Sequence, residues 1–107
     1  MKNAQQVLTQ FFAASNARDM EAYIAFFAED AEVSDERQTH KGHEQIRAWY
    51  EDALEKYNCR HKLLSVENEK GLVHAKAEVS GNFDGSPLVL DYKFGFDNNQ
   101  IKSLKIY

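Results

Sequence analysis

Residues 26–35, Phe-Phe-Ala-Glu-Asp-Ala-Glu-Val-Ser-Asp, change character half-way along. The stretch is apolar as far as Ala28, breaks at two acidic residues, and then alternates with the period of two that is typical of a β-strand. This alternation predicts a short strand with Ala31, Val33 and Asp35 on one face. Charged side chains are rarely placed on a core-facing position unless they are paired, hydrogen-bonded or used.

Asp35 is therefore a candidate general base, because a carboxylate that lines an apolar cavity is suited to proton abstraction. The alternative is structural: Asp35 lies at the end of the strand, where the alternation fails and water is near. The spacing alone leaves both interpretations open.

The composition predicts one domain spanning residues 1–107. The net charge is −4 and basic residues are scattered along the chain, which argues against nucleic acid as a partner. No apolar run has membrane-spanning length, so we expect no membrane partner. A lone cysteine, Cys59, excludes an internal disulfide and favours a reducing, cytoplasmic location.

Three helices are predicted before the main run of strands. Asn3 and Gln6 form a capping pair that opens the first helix, and Asp19 caps the second. Phe27 is placed at the inward end of the second helix. A third helix is predicted over about residues 42–57, where aromatic and aliphatic residues recur at three- and four-residue spacing.

Strands follow, separated by polar turns rich in Gly, Asn and Asp. Their predicted ranges are about 59–67, 72–83 and 88–96, with a last strand that ends the chain. This order predicts an α+β fold in which three N-terminal helices pack on one face of a curved, mainly antiparallel sheet. Such a sheet, covered by helices at one side, is expected to enclose a cone-shaped internal cavity.

Two motifs carry a resemblance to a known family: Phe27-Ala28-Glu29-Asp30-Ala31-x-Val33-x-Asp35 and Lys41-Gly42-x-x-x-Ile46-Arg47-x-Trp49-Tyr50. With the stretch 79–87 and the ending Ile101-x-x-Leu104, they resemble the SnoaL-like and ketosteroid-isomerase-like families of the nuclear transport factor 2-like (cystatin-like) superfamily. The resemblance covers nearly the whole chain and implies the fold. It leaves the reaction open, because this fold hosts isomerases, dehydratases, cyclases, hydrolases and non-enzymatic binders.

The resemblance implies roles for individual residues. Asp35 matches the base of the ketosteroid isomerases, but Phe11 stands where those enzymes have a tyrosine hydrogen-bond donor. Their second donor is a protonated aspartic acid on a late strand. Strand phase puts Tyr92 at that place, whereas ungapped alignment puts Asp91 there. Tyr92 is favoured because it shares its predicted face with Phe94.

The histidines are weaker candidates. His61 resembles a pocket histidine of dehydratase-like relatives, although between two basic neighbours it could equally be solvated. His40 precedes the third helix and is expected near the mouth of the cavity, as a ligand contact. The spacing of His40 and His43 is too weak a signal for a metal site, and no phosphate or dinucleotide motif is present. We therefore predict neither a metal nor a cofactor.

An aromatic set completes the candidate site. In a cone-shaped fold such residues either form the core or line the pocket against an apolar ligand. The residues assigned to ligand contact are Trp49, Tyr23, Phe12, Phe27 and Phe94.

Together these patterns favour a cofactor-independent enzyme of the isomerase, cyclase or dehydratase type, acting on an apolar cyclic or carbonyl-containing small molecule. Asp35 would move the proton, and Tyr92 with His61 would stabilise the developing oxyanion. One alternative is a non-catalytic module that binds a small ligand. Another is an interaction module that forms a homodimer through the outer sheet face, with Val89 and Leu63 as contributors.

Overall fold

The computed structural model describes residues 3–35, 37–69, 71–97 and 99–106. Their order is helix, helix, strand pair, helix and then four strands. The bounds are α1 Ala4–Asn16, α2 Met20–Ala25, β1 Phe27–Asp35, β2 Gln38–Lys41, α3 Gly42–Tyr57, β3 Arg60–Glu69, β4 Leu72–Ser80, β5 Leu88–Asp97 and β6 Gln100–Ile106.

The strands form one curved sheet in the order β2-β1-β6-β5-β4-β3. β1 pairs with β6 in parallel, and every other neighbouring pair is antiparallel. The predicted α+β class with a mainly antiparallel sheet is thus confirmed. The conical form of the cavity stays a prediction.

The prediction of three N-terminal helices is wrong, because a β-hairpin separates α2 from α3. The backbone N–H of Phe26 donates to the Tyr23 carbonyl and closes α2, while the Phe26 carbonyl accepts from Ile101 N at 2.8 Å. The chain therefore joins the sheet at Phe27, which begins β1 instead of ending the helix. The partner strand β2 reads Gln-Thr-His-Lys and carries no apolar alternation that would predict it.

The alternation predicted for residues 31–35 is present in the structure. Ala31 and Val33 are fully buried and Asp35 is half-buried, so the alternation places all three as predicted. The helix caps also form: the Asn3 side chain accepts from Gln6 N at 2.9 Å. Such a cap satisfies one of the free N–H groups at a helix start.

The core is centred on Phe11 of α1, which is 1% exposed. Its ring stacks on Tyr23 of α2 at 4.8 Å and meets Phe27 and Phe94 edge-on at 5.7 and 5.8 Å. One side chain therefore ties two helices to two strands of the sheet.

The end of α3 and the end of β4 approach closely at one rim of the sheet. Asn82 N donates to the Tyr57 carbonyl at 2.7 Å, and a Cβ added to Gly81 would lie 2.4 Å from the same oxygen. Only glycine fits at that position. Because the Asn82 N–H bonds to α3 and not to a neighbouring strand, β4 ends at Ser80 and not at residue 83. Within the described part of the chain, no helix is long and apolar enough to cross a membrane.

Candidate functional site

A pocket of about 560 Å³ lies between the helices and the inner face of the sheet. Most of its wall is aromatic or aliphatic, and only a few polar groups reach it. The aromatic lining residues are Phe11, Phe12, Tyr23, Trp49, Tyr50, Tyr57, Phe83 and Tyr92, and the polar ones include Ser15, Asp35, Arg37, Cys59 and His61. A concave apolar site with a few polar groups is the usual form of a small-molecule site.

At one end of the pocket lies Asp35, the last residue of β1. Its Oδ2 accepts a hydrogen bond from Trp49 Nε1 of α3 at 3.2 Å. The imidazole of His40 stacks on the Trp49 ring, with the ring centroids 5.8 Å apart. His40 lines an adjacent groove shared with Asp35 and Trp49 and does not line the pocket itself.

At the other end lies His61 of β3, which is held from several sides. The Asn16 side chain donates to the His61 carbonyl at 2.7 Å and accepts from the His61 N–H at 2.8 Å. The ring lies 3.3 Å from Ser15 Oγ through Nδ1 and stacks on Phe12 at 5.6 Å. Burial, followed by the positive charge of Arg18, lowers the pKa of His61 to about 4. The imidazole is therefore neutral at physiological pH, and the solvated alternative does not hold.

The choice between Tyr92 and Asp91 is settled by the strand phase. Tyr92 is 4% exposed and faces the pocket, with its ring edge-on to Phe12 at 5.4 Å. Asp91 lies on the opposite face, where its carboxylate meets His74 at 3.1 Å. Burial raises the pKa of Tyr92, and the nearby Asp35 carboxylate raises it further. The Tyr92 hydroxyl is thus a hydrogen-bond donor throughout the physiological range.

Two more tyrosines belong to the wall. Tyr23 and Tyr50 stack face to face, with ring centroids 3.9 Å apart and planes 12° apart. Burial raises the pKa of both hydroxyls. Among the described residues, the Tyr50 hydroxyl has no hydrogen-bond partner.

Two of the residues assigned to ligand contact belong to the core instead. Phe27 and Phe94 are 0% exposed and are absent from the pocket wall, because Phe11 lies in contact with both. Phe12, Tyr23 and Trp49 do line the pocket.

The His40–His43 pair does not form a metal-binding arrangement. His43 Nε2 donates to the Phe27 carbonyl at 2.8 Å, whereas His40 stacks on Trp49. In residues 3–35, 37–69, 71–97 and 99–106, no group of three or more His, Cys, Asp or Glu side chains is placed to hold a metal ion.

Sequence reasoning missed Ser15, Cys59 and Arg37 as pocket residues. The inward position of Ser15 could have been inferred from the sequence, because Ser15 continues the apolar stripe of α1 through Leu8 and Phe11. In the structure it is 1% exposed. Cys59 is buried, and nothing in its sequence neighbourhood indicates a pocket. Burial raises the pKa of its thiol, so it lines the wall as a small neutral group.

The fold and the pocket can now be compared with known proteins. A family model of the SnoaL-like domain matches residues 8–99. This chain belongs to the SnoaL-like domain family. No match was found among curated proteins.

Solved structures of other SnoaL-like and related proteins share the whole fold. A Sinorhizobium meliloti protein provisionally named a polyketide cyclase is 30% identical, with a TM-score of 0.91 over 95% of this chain and 94% of its own. A SnoaL-like protein of unknown function from Burkholderia thailandensis is 18% identical, with a TM-score of 0.84 over 97% of this chain and 92% of its own. A protein with a ketosteroid-isomerase-like fold from Catenulispora acidiphila, in complex with trimethylamine, is 20% identical, with a TM-score of 0.83 over 98% and 86%. The latter two similarities concern the fold alone.

Proposed function

We propose that this SnoaL-like protein is a small, cofactor-independent enzyme that transfers a proton on an apolar cyclic or carbonyl-containing molecule. The reaction would be of the isomerase, cyclase or dehydratase type. The observation that carries the proposal is the placement of Asp35 and Tyr92 in one apolar pocket. This combination supplies an acceptor for the proton and a donor for the resulting negative charge.

Asp35 is the proposed base. It takes a proton from the carbon next to a carbonyl group, and the electron pair of the broken C–H bond moves into an enolate whose charge lies on oxygen. The Trp49 indole N–H, 3.2 Å from Oδ2, orients the carboxylate.

Tyr92 and His61 are the proposed donors to the enolate oxygen. Both are neutral at physiological pH, so neither neutralises Asp35 through ion pairing. Donors that are fixed before the reaction stabilise developing charge most effectively where water is excluded. Phe12, Tyr23 and Trp49 would hold the ring of the substrate. The proposed cavity that encloses it is cone-shaped.

The comparison with the Sinorhizobium meliloti protein supports this class of chemistry, since that protein is provisionally named a polyketide cyclase. Cyclisation and isomerisation of carbonyl compounds both begin with the removal of an activated proton. The identity of 30% supports the reaction class and leaves the substrate of this chain undefined.

A non-catalytic carrier for the same kind of ligand is the second candidate. Two observations favour it: Phe11 brings no hydroxyl to the pocket, and the Asp35 carboxylate already accepts from Trp49. In that case Asp35 would orient the ligand through a hydrogen bond without taking a proton.

A homodimer through the outer sheet face remains a proposal. Val89 is 55% exposed there and Leu72 is 44% exposed, but the polar pair of His74 and Asp91 lies between strands on the same face. Leu63 does not belong to that face, because it pairs with the buried Ala77 and packs against the core. We expect a modest, wet interface. Sedimentation as a monomer at high concentration would remove this proposal.

A thermal-shift screen distinguishes the proposed enzyme from a non-catalytic carrier. Wild type and Asp35→Asn are compared against enolisable cyclic ketones, hydroxylated aromatics and fatty acids. A ligand at about 100 times its Kd adds roughly 2.7 kcal/mol to stability, which gives a visible shift. Stabilisation by cyclic ketones that changes in Asp35→Asn supports the enzyme. Stabilisation by fatty acids alone, equal in both proteins, contradicts it and favours the carrier.

The cytoplasmic location and the single-domain organisation stay predictions.

A further inference from the structure

The hydroxyl of Tyr50 is a polar group in the pocket wall that the proposed chemistry does not use. Tyr50 lies on α3, is 5% exposed, and has its ring fixed by the stack on Tyr23 at 3.9 Å. Within the described residues its hydroxyl is enclosed and unpaired. It is therefore held in place with a hydrogen bond still to make.

Such groups are uncommon in folded proteins. Nearly all buried polar atoms have a partner, since an unpaired one loses its hydration without compensation. An unpaired hydroxyl in the wall of a binding pocket reduces stability in the free protein and gains a partner when a ligand arrives. Stability lost for a binding group is a common feature of functional sites.

The neighbouring rings do not supply that partner. On one side of Tyr23 lies Tyr50, and on the other lies Phe11, whose ring stacks at 4.8 Å and has no hydroxyl. Helix α1 thus brings an apolar ring to the place where a donor would be useful, and α3 brings the hydroxyl instead.

The charges around the pocket indicate which kind of ligand atom fits. The positive charges of Arg18 and Arg60 act on Tyr50, whereas the negative charge of Asp35 acts on Tyr92 and Tyr23. Tyr50 therefore faces the more positive side of the pocket, where an oxygen that carries negative charge is stabilised. Because burial raises its pKa, the hydroxyl stays protonated and is available as a donor.

We propose that the Tyr50 hydroxyl donates a hydrogen bond to a carbonyl or enolate oxygen of the ligand and so selects oxygen-bearing ligands over hydrocarbons of the same shape. The proposal rests on the proposed function, because it adds a further donor to the ligand oxygen while Asp35 removes the proton. It makes Tyr50 a specificity-determining residue contributed by α3, beside Tyr92 from β5.

The first test is stability without ligand. Tyr50→Phe removes only the hydroxyl and keeps the ring stack. We expect the midpoint of urea unfolding to rise, because the free protein no longer buries an unpaired polar group. A lower midpoint would mean that the hydroxyl is already satisfied in the free protein and would overturn the proposal.

The second test is discrimination between 1-tetralone and tetralin, which differ by one carbonyl oxygen. Binding is followed by the fluorescence of Trp49, the single tryptophan of the chain, which lines the pocket. Wild type should prefer the ketone. Tyr50→Phe should lose about tenfold in affinity for 1-tetralone, or ~1.4 kcal/mol, and keep its affinity for tetralin.

Tyr57→Phe is the matched control, since it removes the same group from the same helix at a half-buried pocket ring. It should cost clearly less ketone affinity than Tyr50→Phe. An equal loss in both variants, an unchanged preference in Tyr50→Phe, or a wild type that fails to favour the ketone would each overturn the assignment.

Failure of this proposal is distinct from failure of the proposed function. Ketone preference that depends on Tyr50 in a protein with no proton-transfer activity would leave the binding role intact and remove the enzyme. Activity that depends on Asp35, with unaltered preference in Tyr50→Phe, would do the reverse.

Discussion

The two polar ends of the pocket are built differently. Asp35 lies at the last position of a strand and accepts a hydrogen bond from the Trp49 indole. His61 is held through both of its backbone polar groups by Asn16 and through its ring by Ser15. One end carries a half-buried carboxylate at the end of a strand, and the other carries a neutral imidazole held by α1.

This difference suits the proposed division of labour. A base must lie within hydrogen-bond reach of the proton that it removes, so the position of its carboxylate decides the rate. A donor to an oxyanion works best when it is already in place and needs no reorganisation. The comparison therefore predicts that disturbing the His61 end costs mainly stability, and that disturbing the Asp35 end costs mainly activity.

The largest stability loss should follow from Asn16→Ala. The change leaves the N–H and the carbonyl of His61 unpaired in a part-buried setting, at about 1–3 kcal/mol for each lost partner, and we expect about 2–4 kcal/mol in total. Urea unfolding measures this loss. Thr9→Ala is the control on the same helix, because its side chain bonds to the Gln5 carbonyl in an exposed position. Similar losses in the two variants would show that the Asn16 hydrogen bonds to His61 contribute no more than an exposed hydrogen bond within the helix.

The next largest effect on stability should be a dependence on pH that comes from His61. Since the pKa of His61 is lowered to about 4 in the folded protein and is near 6.5 in the unfolded chain, only the unfolded chain gains this proton between those values. Its contribution is complete above pH 6.5 and is lost as the pH falls towards 4, by up to about 3 kcal/mol.

Urea midpoints measured from pH 7 to pH 4 test this dependence. His61→Gln should flatten the decline in that window. An equal slope in wild type and His61→Gln would contradict the view that this end of the pocket is kept neutral by burial.

The smallest stability effect is expected at the other end. Trp49→Phe removes one hydrogen bond to Asp35 and keeps an aromatic ring against His40, so the cost should be about 1 kcal/mol. Turnover should fall more noticeably than stability, because the carboxylate loses its orienting donor. A stability loss as large as that of Asn16→Ala would erase the difference between the two ends.

Much of the fold could be predicted because its signals are local. The alternation through Ala31, Val33 and Asp35 and the cap at Asn3 depend on neighbours in sequence, and both are confirmed. The place of Phe27 and the strand β2 could not be predicted, because they depend on pairing with β6 and β1. The bulge beside Leu63 is likewise a property of two strands together.

The candidate site was predictable to a similar degree. Strand phase placed Tyr92 on the inner face, but phase gives the face and not the depth, and so Phe94 was assigned to ligand contact when it belongs to the core. The contacts of Ser15 and Asn16 with His61 join residues 46 and 45 positions apart, for which a single sequence carries no local signal. The unpaired hydroxyl of Tyr50 becomes evident only when every neighbour of its ring is known.

The central claim is that Asp35 removes a proton next to a carbonyl group, and hydrogen–deuterium exchange at the α-carbon of 1-tetralone in D₂O measures that step directly. We predict that wild type accelerates the exchange and that Asp35→Asn loses about 10²- to 10⁴-fold of the catalysed rate while still binding the ketone. Asp30→Asn is the matched control, because this exposed carboxylate of the same strand pairs with Lys102 outside the pocket and its loss should leave the rate unchanged. An Asp35→Asn protein that exchanges the proton as fast as wild type would contradict the account.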